Sequence, residues 1–375
     1  MNVVLIILES FCTEKIFGYE PVREEITPNI NNLARNGSIL LQYITPANSS
    51  SPSLSCIFTG CYQMTHGNHK NNSKLNNNIL VLSEALKKEG YITFGAVSVG
   101  VLGSSYGFNR GFDLFSNSSK YDKFMYVMGK IGNEKFNLRK CLRTTGLFDI
   151  FYRPCYKTNE EIFNFLNKNK DKKFFLFVEY FDTHGDKKTS YYNNIKLMDG
   201  AVGKLVDELK KYNLFRDTLI IIAGDHGETL LDSGKRTHGF DIVESEFKVP
   251  CIFHMPQLVP KKMVNLLTRS IDIFPTIMDF IGNKNTFEID GVSIKETIIN
   301  DKKVVNEVFI ESFPERADIK GLRTDKWCYK LREGEKEELY DIINDAKYKN
   351  DLSSEYEDIC SEFKLKVKNH FKILI

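Results

Sequence analysis

Short apolar runs rich in Val, Ile and Phe alternate with amphipathic stretches along most of this sequence. The apolar runs predict strands at Val3–Leu8, Ser38–Tyr43, Tyr91–Val97, Lys173–Tyr180, Thr218–Ala223 and Pro250–His254. The amphipathic stretches predict helices at Ile30–Asn36, Ile79–Glu89, Asn159–Asn169, Asn193–Tyr212 and Ile271–Gly282. Strands separated by helices indicate βαβ crossovers. We therefore expect an α/β fold with a largely parallel central sheet covered by helices on both faces.

The pattern changes after about residue 283, where short strands follow one another across polar turns. The elements predicted there are strands at Val304–Glu311, Gly321–Thr324 and Trp327–Leu331, and a charged helix at about Ser354–Lys372. This pattern predicts a small antiparallel sheet with one helix. The expected domains are therefore a catalytic α/β domain at 1–283 and a C-terminal subdomain at 284–375.

The composition excludes several classes of protein. Among the 375 residues, 51 Lys and Arg stand against 49 Asp and Glu, so no net basic charge indicates a nucleic-acid partner. No apolar run approaches the roughly 20 residues of a membrane span. The first apolar run is too short for a secretory signal, and the eight cysteines form no C-x-x-C pair. We expect reduced thiols and a cytoplasmic location.

Polar side chains follow three of the predicted strands directly. Glu9 follows the first strand, Asp182 and His184 follow the fourth, and Asp225 and His226 follow the fifth. Open α/β sheets place their sites at the carboxyl ends of such strands. Carboxylates and an imidazole that meet at one sheet edge predict a divalent-metal site. The imidazole favours Mn or Zn, and the carboxylates leave Ca and Mg open.

A serine-rich segment at 48–60 supplies candidate nucleophiles. Pro52 suits the first turn of a helix, and Ser53 to Phe58 can form a short helix that ends near Gly60. A serine just before this helix would lie where the helix dipole favours an anion. A metal in contact with the same oxygen would make the hydroxyl a nucleophile near neutral pH. The alternative is a serine-rich loop that only caps a helix.

Further motifs follow one another along the chain. They are Val4-Leu5-Ile6-Ile7-Leu8-Glu9, Thr27-Pro28-Asn29, Ser50-Ser51-Pro52-Ser53 with Thr59-Gly60, His66-Gly67, Gly111-Phe112-Asp113, Asp225-His226-Gly227-Glu228, His238-Gly239, Val249-Pro250, Asp290-Gly291-Val292-Ser293 and Leu339-Tyr340-Asp341. In this order they resemble the sulfatase family of the alkaline-phosphatase superfamily. The resemblance covers nearly the whole chain and implies an alkaline-phosphatase/sulfatase-like fold.

The resemblance also implies roles for individual residues. Ser50 matches the nucleophile of the family. Glu9, Asp225 and His226 match ligands of one divalent metal ion that also contacts Ser50. The catalytic serine would then lie at both the metal and the N-terminus of a helix.

Two histidines match positions near the reacting group of the family. His184 and His238 correspond to residues that contact the anionic group of the substrate, protonate the leaving group or bind a second metal. Asp182 is a candidate for such a second site. Ser49 and Ser51, one residue on either side of Ser50, are the alternative assignments of the nucleophile.

Departures from the sulfatase pattern affect the expected chemistry. Sulfatases convert the nucleophile to formylglycine and read an arginine four positions on, where this chain has Leu54. Formylglycine is therefore not expected. The usual Asp-Asp after the first strand is Glu9-Ser10 here, and the Lys-x-His segment expected near Ser98–Gly103 is missing. Leu8-Glu9-Ser10-Phe11 instead resembles phosphoglycerol transferases of the lipoteichoic-acid synthase type, which use an unmodified hydroxyl.

The predicted function is metal-dependent hydrolysis or transfer at a phosphate or sulfate ester, with a phosphoester or phosphodiester favoured. The expected partner is a small anionic ester substrate. One alternative is a sulfuric ester hydrolase of the arylsulfatase kind, and another is a non-catalytic relative that binds an anion. The stretch Lys120–Cys155, predicted to be an insertion or lid, carries no pattern that identifies the substrate. Neither oligomeric state nor the number of metal ions is predicted.

Overall fold

The computed structural model describes residues 1–13, 16, 26–71, 73–117, 152–184, 190–230, 236–283, 285–314 and 316–373. The strands are β1 (Asn2–Leu8), β2 (Ser38–Ile44), β3 (Ile92–Ala96), β4 (Leu114–Ser116), β5 (Phe174–Tyr180), β6 (Thr218–Gly224), β7 (Thr229–Leu230), β8 (Arg236–Thr237), β9 (Cys251–His254), β10 (Lys262–Arg269), β11 (Glu307–Glu311), β12 (Ile319–Thr324), β13 (Trp327–Arg332) and β14 (Glu337–Asp341). The helices are α1 (Pro28–Arg35), α2 (Ser50–Thr59), α3 (Gln63–His66), α4 (Leu82–Lys88), α5 (Cys155–Asn169), α6 (Tyr191–Lys211), α7 (Glu244–Phe247), α8 (Ile273–Phe280), α9 (Lys295–Asn300) and α10 (Glu357–Phe371).

The central sheet has eight strands in the described residues, in the order β10-β2-β9-β6-β1-β5-β3-β4. Strand β9 runs antiparallel to both of its neighbours, β2 and β6. The other neighbouring strands pair in parallel. The predicted α/β class with a largely parallel sheet is therefore confirmed.

Helices cover both faces of this sheet, which explains the continuous apolar sequence of β1. Val4, Ile6 and Leu8 pack on one side in a core shared with α1, α5 and α6. Val3 and Ile7 pack on the other side, in a core shared with α2, α4 and α8. A strand buried on both faces has no polar side, so its residues do not alternate between polar and apolar.

The C-terminal part is a four-stranded antiparallel sheet, in the order β11-β12-β13-β14, with helix α10. One face continues the main core through Val308 and Ile310. The other face packs Tyr329 against Phe363 and Val367 of α10. The predicted small antiparallel sheet with one helix is confirmed, whereas the domain boundary at residue 283 stays a prediction.

Some elements were not predicted from the sequence. The edge strand β10 mixes exposed and buried residues and lacks the continuous apolar run that predicts the inner strands. Strands β4, β7 and β8 are not predicted because they have only two or three residues, and β14 is not predicted because three of its five residues are acidic. Most of the predicted insertion at Lys120–Cys155 lies outside the described residues. In the described ranges, no helix is long and apolar enough to cross a membrane.

Candidate metal and nucleophile site

The pairing of β1 with β6 brings two carboxylates together. Leu8 lies opposite Gly224 in this parallel pair, so the next residues, Glu9 and Asp225, leave the sheet side by side. Both are completely buried. Ser10 then turns the chain with a positive φ of 49°, and its backbone N–H donates to Oδ1 of Asp225 over 2.9 Å. The end of the sheet therefore holds two acidic side chains in one buried place.

His226 joins these carboxylates to form a cluster that we call the acidic cluster, made of Glu9, Asp225 and His226. Each residue offers one ligand atom, and these atoms lie within 4.8 Å of one another. Nε2 of His226 is 3.5 Å from Oε1 of Glu9 and 3.6 Å from Oδ2 of Asp225. Nδ1 lies 2.9 Å from the carbonyl oxygen of Gly227. In the neutral imidazole that a metal would require, donation from Nδ1 to this carbonyl leaves Nε2 with a lone pair.

Two buried oxygen atoms of the acidic cluster indicate that a cation would fit there. Oε2 of Glu9 and Oδ2 of Asp225 are buried and have no hydrogen-bond partner in the described part of the chain. Buried carboxylate oxygens without a partner are costly unless a cation compensates them. Two carboxylates and one imidazole therefore make a donor set that fits a divalent metal ion.

The pKa shifts of the acidic cluster also favour a bound cation. Burial works against the Glu9 carboxylate, but hydrogen bonds from His184 and His226 hold its pKa well below the ordinary value. Burial and the charge of Glu9 raise the pKa of Asp225 well above its ordinary value. Burial also disfavours the charged form of His226, yet the two carboxylates raise its pKa to about 10. A dication would supply the positive charge that both carboxylates require.

Helix α2 is entirely buried although five of its ten residues are Ser or Thr. The hydroxyls of Ser55 and Thr59 donate to backbone carbonyls one turn earlier, at 2.7 and 2.6 Å, so they need no solvent. Pro52 lies in the first turn, and Gly60 ends the helix in the left-handed conformation with a φ of 68°. The sequence thus forms a short helix that can be packed directly behind the acidic cluster.

Helix α2 presents Ser50 to the acidic cluster at its first residue. Oγ of Ser50 donates to Oε1 of Glu9 over 2.5 Å and lies 3.5 Å from Nε2 of His226. The hydroxyl of Ser53 donates to the carbonyl oxygen of Asp225 over 2.6 Å, which ties the helix to the end of β6. Ser50 is therefore within reach of a cation in the cluster, at the positive end of the helix dipole.

The two serines beside Ser50 face other partners. Oγ of Ser51 accepts a hydrogen bond from Nδ2 of Asn68 over 2.9 Å. Ser49 is the N-cap residue, and its side chain makes no capping hydrogen bond. Of these three serines, Ser50 is the one whose hydroxyl contacts the acidic cluster in the described residues.

His184 and His238 lie at the more exposed rim of the cluster. Nε2 of His184 is 2.8 Å from Oγ of Ser10 and 3.5 Å from Oε1 of Glu9. The ring centroid of His238 lies 4.5 Å from that of His226 and 6.0 Å from that of His184. Their side chains are 24% and 16% exposed. These two imidazoles are therefore more exposed than the fully buried Glu9, Asp225 and His226.

Glu228 orients His238, a role that was not predicted. Its Oε1 lies 2.8 Å from Nδ1 of His238. Burial opposes the charge of Glu228, but the contact with His238 holds its pKa below the ordinary value. Burial and the nearby His226 lower the pKa of His238. The sequence places Glu228 in the motif at 225–228, close to the proposed metal ligands. Sequence spacing alone does not show which histidine its carboxylate contacts.

Asp182 also follows a strand, yet it lies apart from the acidic cluster. Its two carboxylate oxygens accept from the backbone N–H of Cys155 at 3.2 and 3.1 Å, at the first residue of α5. Burial raises the pKa of Asp182 to about 6. The carboxylate of Asp182 therefore caps a helix, and its part in a second metal site stays a prediction.

Comparison with known proteins identifies the family. The sequence model of the sulfatase family matches residues 1–283, which is most of the chain and includes Ser50 and the acidic cluster. The chain belongs to the sulfatase family. The predicted resemblance is thereby confirmed.

Individual relatives of this sulfatase-family chain are distant. An arylsulfatase of Hemicentrotus pulcherrimus is 24% identical over 270 residues, a match that covers 59% of this chain and 46% of the relative. A choline-sulfatase of Rhizobium meliloti is 30% identical over 164 residues, which is 42% of this chain and 31% of the relative. The matches thus span about half of the first curated relative and about a third of the second.

Solved structures show the same fold over nearly the whole chain. The phosphonate monoester hydrolase of Agrobacterium radiobacter superposes with a TM-score of 0.77 at 17% identity. The superposition covers 99% of this chain and 96% of the other. The predicted alkaline-phosphatase/sulfatase-like fold is therefore confirmed.

Proposed function

We propose that this protein is a metal-dependent hydrolase or transferase that cleaves a phosphate or sulfate ester through the hydroxyl of Ser50. The observation that supports this most directly is the 2.5 Å hydrogen bond from Oγ of Ser50 to Oε1 of Glu9, at the N-terminus of α2. A divalent ion bound by Glu9, Asp225 and His226, for which Mn or Zn is favoured over Ca or Mg, would lower the pKa of the hydroxyl it contacts.

In the first half-reaction, Oγ of Ser50 attacks the phosphorus atom of the ester. The bond from Oγ to phosphorus forms while the bond from phosphorus to the alcohol oxygen breaks. The proton of Ser50 passes to solvent, because Glu9, whose pKa is held well below its ordinary value, is a poor proton acceptor. His238 donates a proton from Nε2 to the departing alkoxide while Glu228 binds Nδ1 and orients the ring. This step uses the protonated imidazole, which the lowered pKa of His238 makes the minor form at neutral pH. The dipole of α2 stabilises the charge on the non-bridging oxygens.

In the second half-reaction, water or another alcohol attacks the phosphorus of the phosphoseryl group. His238, now neutral, takes the proton of the attacking oxygen. The bond from phosphorus to Oγ breaks, and Ser50 takes up a proton from solvent. Attack by water completes hydrolysis, and attack by an alcohol completes transfer.

We favour a phosphoester or phosphodiester as the substrate. Leu54 stands where formylglycine maturation reads an arginine, and it is fully buried, so Ser50 is proposed to remain a serine. A sulfoserine lacks the elimination route of a hydrated aldehyde and would be harder to clear. The fold also occurs in a phosphonate monoester hydrolase, whose substrate contains phosphorus. The names of the sequence relatives favour the second candidate, a sulfuric ester hydrolase of the arylsulfatase kind.

The deciding experiment is a panel of nitrophenyl phosphomonoester, phosphodiester, phosphonate and sulfate esters, assayed with added Mn or Zn. We expect turnover of phosphorus esters that is lost in the Ser50→Ala variant. Turnover of the sulfate alone would establish the second candidate. Binding of phosphate or sulfate ions without turnover of any ester would show a non-catalytic anion-binding relative.

A further inference from the structure

Glu246 lies on the short helix α7, and its buried carboxylate joins three segments near the acidic cluster. The residue is 2% exposed. Oε2 accepts from Nδ2 of Asn48 and from the backbone N–H of Gly239, each over 2.8 Å. Oε1 accepts from the hydroxyl of Thr229, also over 2.8 Å. The carboxylate thus has three neutral donors, and no Lys or Arg pairs with it in the described residues.

Two of these donors come from the segments that carry the nucleophile and the proposed acid. Asn48 precedes Ser50 by two residues, and Gly239 directly follows His238. Both bind the same carboxylate oxygen, Oε2 of Glu246. This single oxygen therefore links the two segments.

The third donor, Thr229, lies in the segment that follows β6 and connects this segment to Glu246. Thr229 follows Glu228, the partner of His238, in β7. The backbone carbonyl of Glu246 also accepts from the N–H of Gly227 over 2.8 Å. The approach is so close that a Cβ atom on Gly227 would lie 1.9 Å from the carbonyl oxygen of Ser245. The segment after β6 is therefore packed directly on α7.

We propose that Glu246 is a positioning residue, whose carboxylate sets the place of the Ser50 segment relative to the His238 segment. This inference rests on the proposed function, which assigns roles to both segments. Hydrogen bonds to a charged acceptor are stronger than those between neutral groups. Because a buried carboxylate is destabilised by each donor that leaves it, the three donors are held in place around Glu246. A shift of about 1 Å between reacting groups costs about a hundredfold in rate, so loss of these bonds is expected to affect turnover.

Glu244 provides a matched control two residues away on the same helix. Its carboxylate pairs with Arg323, with 3.1 Å between Oε1 and Nε, and also accepts from the hydroxyl of Tyr348. Both partners belong to the C-terminal part of the chain and contact neither Ser50 nor the acidic cluster. Glu244→Gln therefore weakens the attachment of α7 without removing a bond to the catalytic segments.

The kinetic test compares Glu246→Ala, Glu246→Gln and Glu244→Gln. The glutamine at 246 can still accept from Asn48 and Gly239, while its amide donates to a rotated Thr229 hydroxyl. We expect kcat to fall about 30- to 100-fold in Glu246→Ala with KM within about threefold, as small displacements act on the reacting groups. Glu246→Gln should recover most of this loss, and Glu244→Gln should keep the wild-type kcat. Equal losses in Glu246→Ala and Glu246→Gln, or none in Glu246→Ala, would overturn the proposal.

Hydrogen exchange tests the same proposal without any ester. The N–H of Gly239 is bonded to Glu246, so its exchange should be at least about tenfold faster in Glu246→Ala than in Glu244→Gln. The peptide at 46–54 should exchange faster as well. Unchanged exchange in both places would contradict the positioning role. If the wild type turned over none of the esters, the proposed function would fail while the exchange result still decided the role of Glu246.

Discussion

The hydroxyl of Ser50 and the carboxylate of Glu9 are joined by a hydrogen bond of 2.5 Å between Oγ and Oε1. Glu9 comes from the end of β1 and Ser50 from the start of α2, and both are buried. A hydroxyl at this position contacts a proposed metal ligand and lies at the positive end of a helix dipole. This relationship is the reason that Ser50, among the serines of this segment, is proposed as the nucleophile.

Replacing this hydroxyl tests the nucleophile. We expect Ser50→Ala to lower kcat at least about a thousandfold on any ester that the wild type hydrolyses, as for other enzymes that lose their nucleophile. Ser51→Ala should stay within about threefold, because the hydroxyl of Ser51 bonds to Asn68 and not to Glu9. Steady-state kinetics with a nitrophenyl ester measure both. Full turnover by Ser50→Ala would exclude Ser50 as the nucleophile.

The chemical state of Ser50 is a separate prediction. We expect the peptide that contains Ser50 to have the mass of an unmodified serine, because Leu54 occupies the position that formylglycine maturation reads as arginine. Mass spectrometry of a proteolytic digest measures this. A peptide lighter by two hydrogen atoms would show formylglycine and would favour sulfate ester hydrolysis.

Metal binding should stabilise the fold through the acidic cluster. Chelation with EDTA is expected to abolish turnover and lower the melting temperature, and Mn or Zn should restore both. A ligand present at about 100 times its Kd stabilises a protein by about 2.7 kcal/mol. Differential scanning fluorimetry with and without metal measures the shift. Full activity after exhaustive chelation would contradict a metal-dependent mechanism.

The variant Asp225→Asn should change the stabilisation by metal without lowering the stability of the metal-free protein. The asparagine keeps the Oδ1 acceptor for the N–H of Ser10 and removes a charge that burial and Glu9 both disfavour. We therefore expect the metal-free variant to melt at or above the wild-type temperature, and the shift caused by Mn or Zn to be lost. Thermal melts of both proteins, with and without metal, test this. An equal metal shift in the two would remove Asp225 from the ligand set.

His66 predicts a pH dependence of stability. Nδ1 accepts from the N–H of Asn68 over 3.1 Å, and burial lowers the pKa of His66 to about 3. In the unfolded chain His66 has its ordinary pKa near 6.5. Between about pH 6.5 and about pH 3, the unfolded state therefore binds one proton at His66 that the folded state does not bind. Stability present above about pH 6.5 is therefore lost as the pH falls, by up to about 1.4 kcal/mol per pH unit.

The variant His66→Gln tests this sign. Urea unfolding between about pH 7 and pH 4.5 should show a shallower loss of unfolding free energy in His66→Gln than in the wild type. The variant begins from a lower stability at neutral pH, because it disturbs the contact of the imidazole with Cys56. Parallel slopes for the two proteins would mean that His66 does not contribute to the acid sensitivity.

Much of the fold follows from local sequence, because burial on two faces leaves a continuous apolar run. Val3–Leu8 and Thr218–Ala223 were recognised in this way and lie side by side in the sheet. Strand β10 is not predicted because Asn265 interrupts its apolar residues and both of its ends are charged. Asp182 is a candidate for a site because it follows a strand, but its carboxylate accepts from the N–H at the start of α5.

The sequence by itself determined the chemistry that is available: an acid after β1, an acid and an imidazole after β6, and a serine at the start of a buried helix. Only the tertiary structure decided which of these groups meet. The register that sets Leu8 opposite Gly224 brings Glu9 to Asp225. The bonds of Glu228 to His238 and of Glu246 to Asn48 depend on how separate segments pack. Contacts between side chains far apart in sequence arise from strand order and register, which no local pattern of residues specifies.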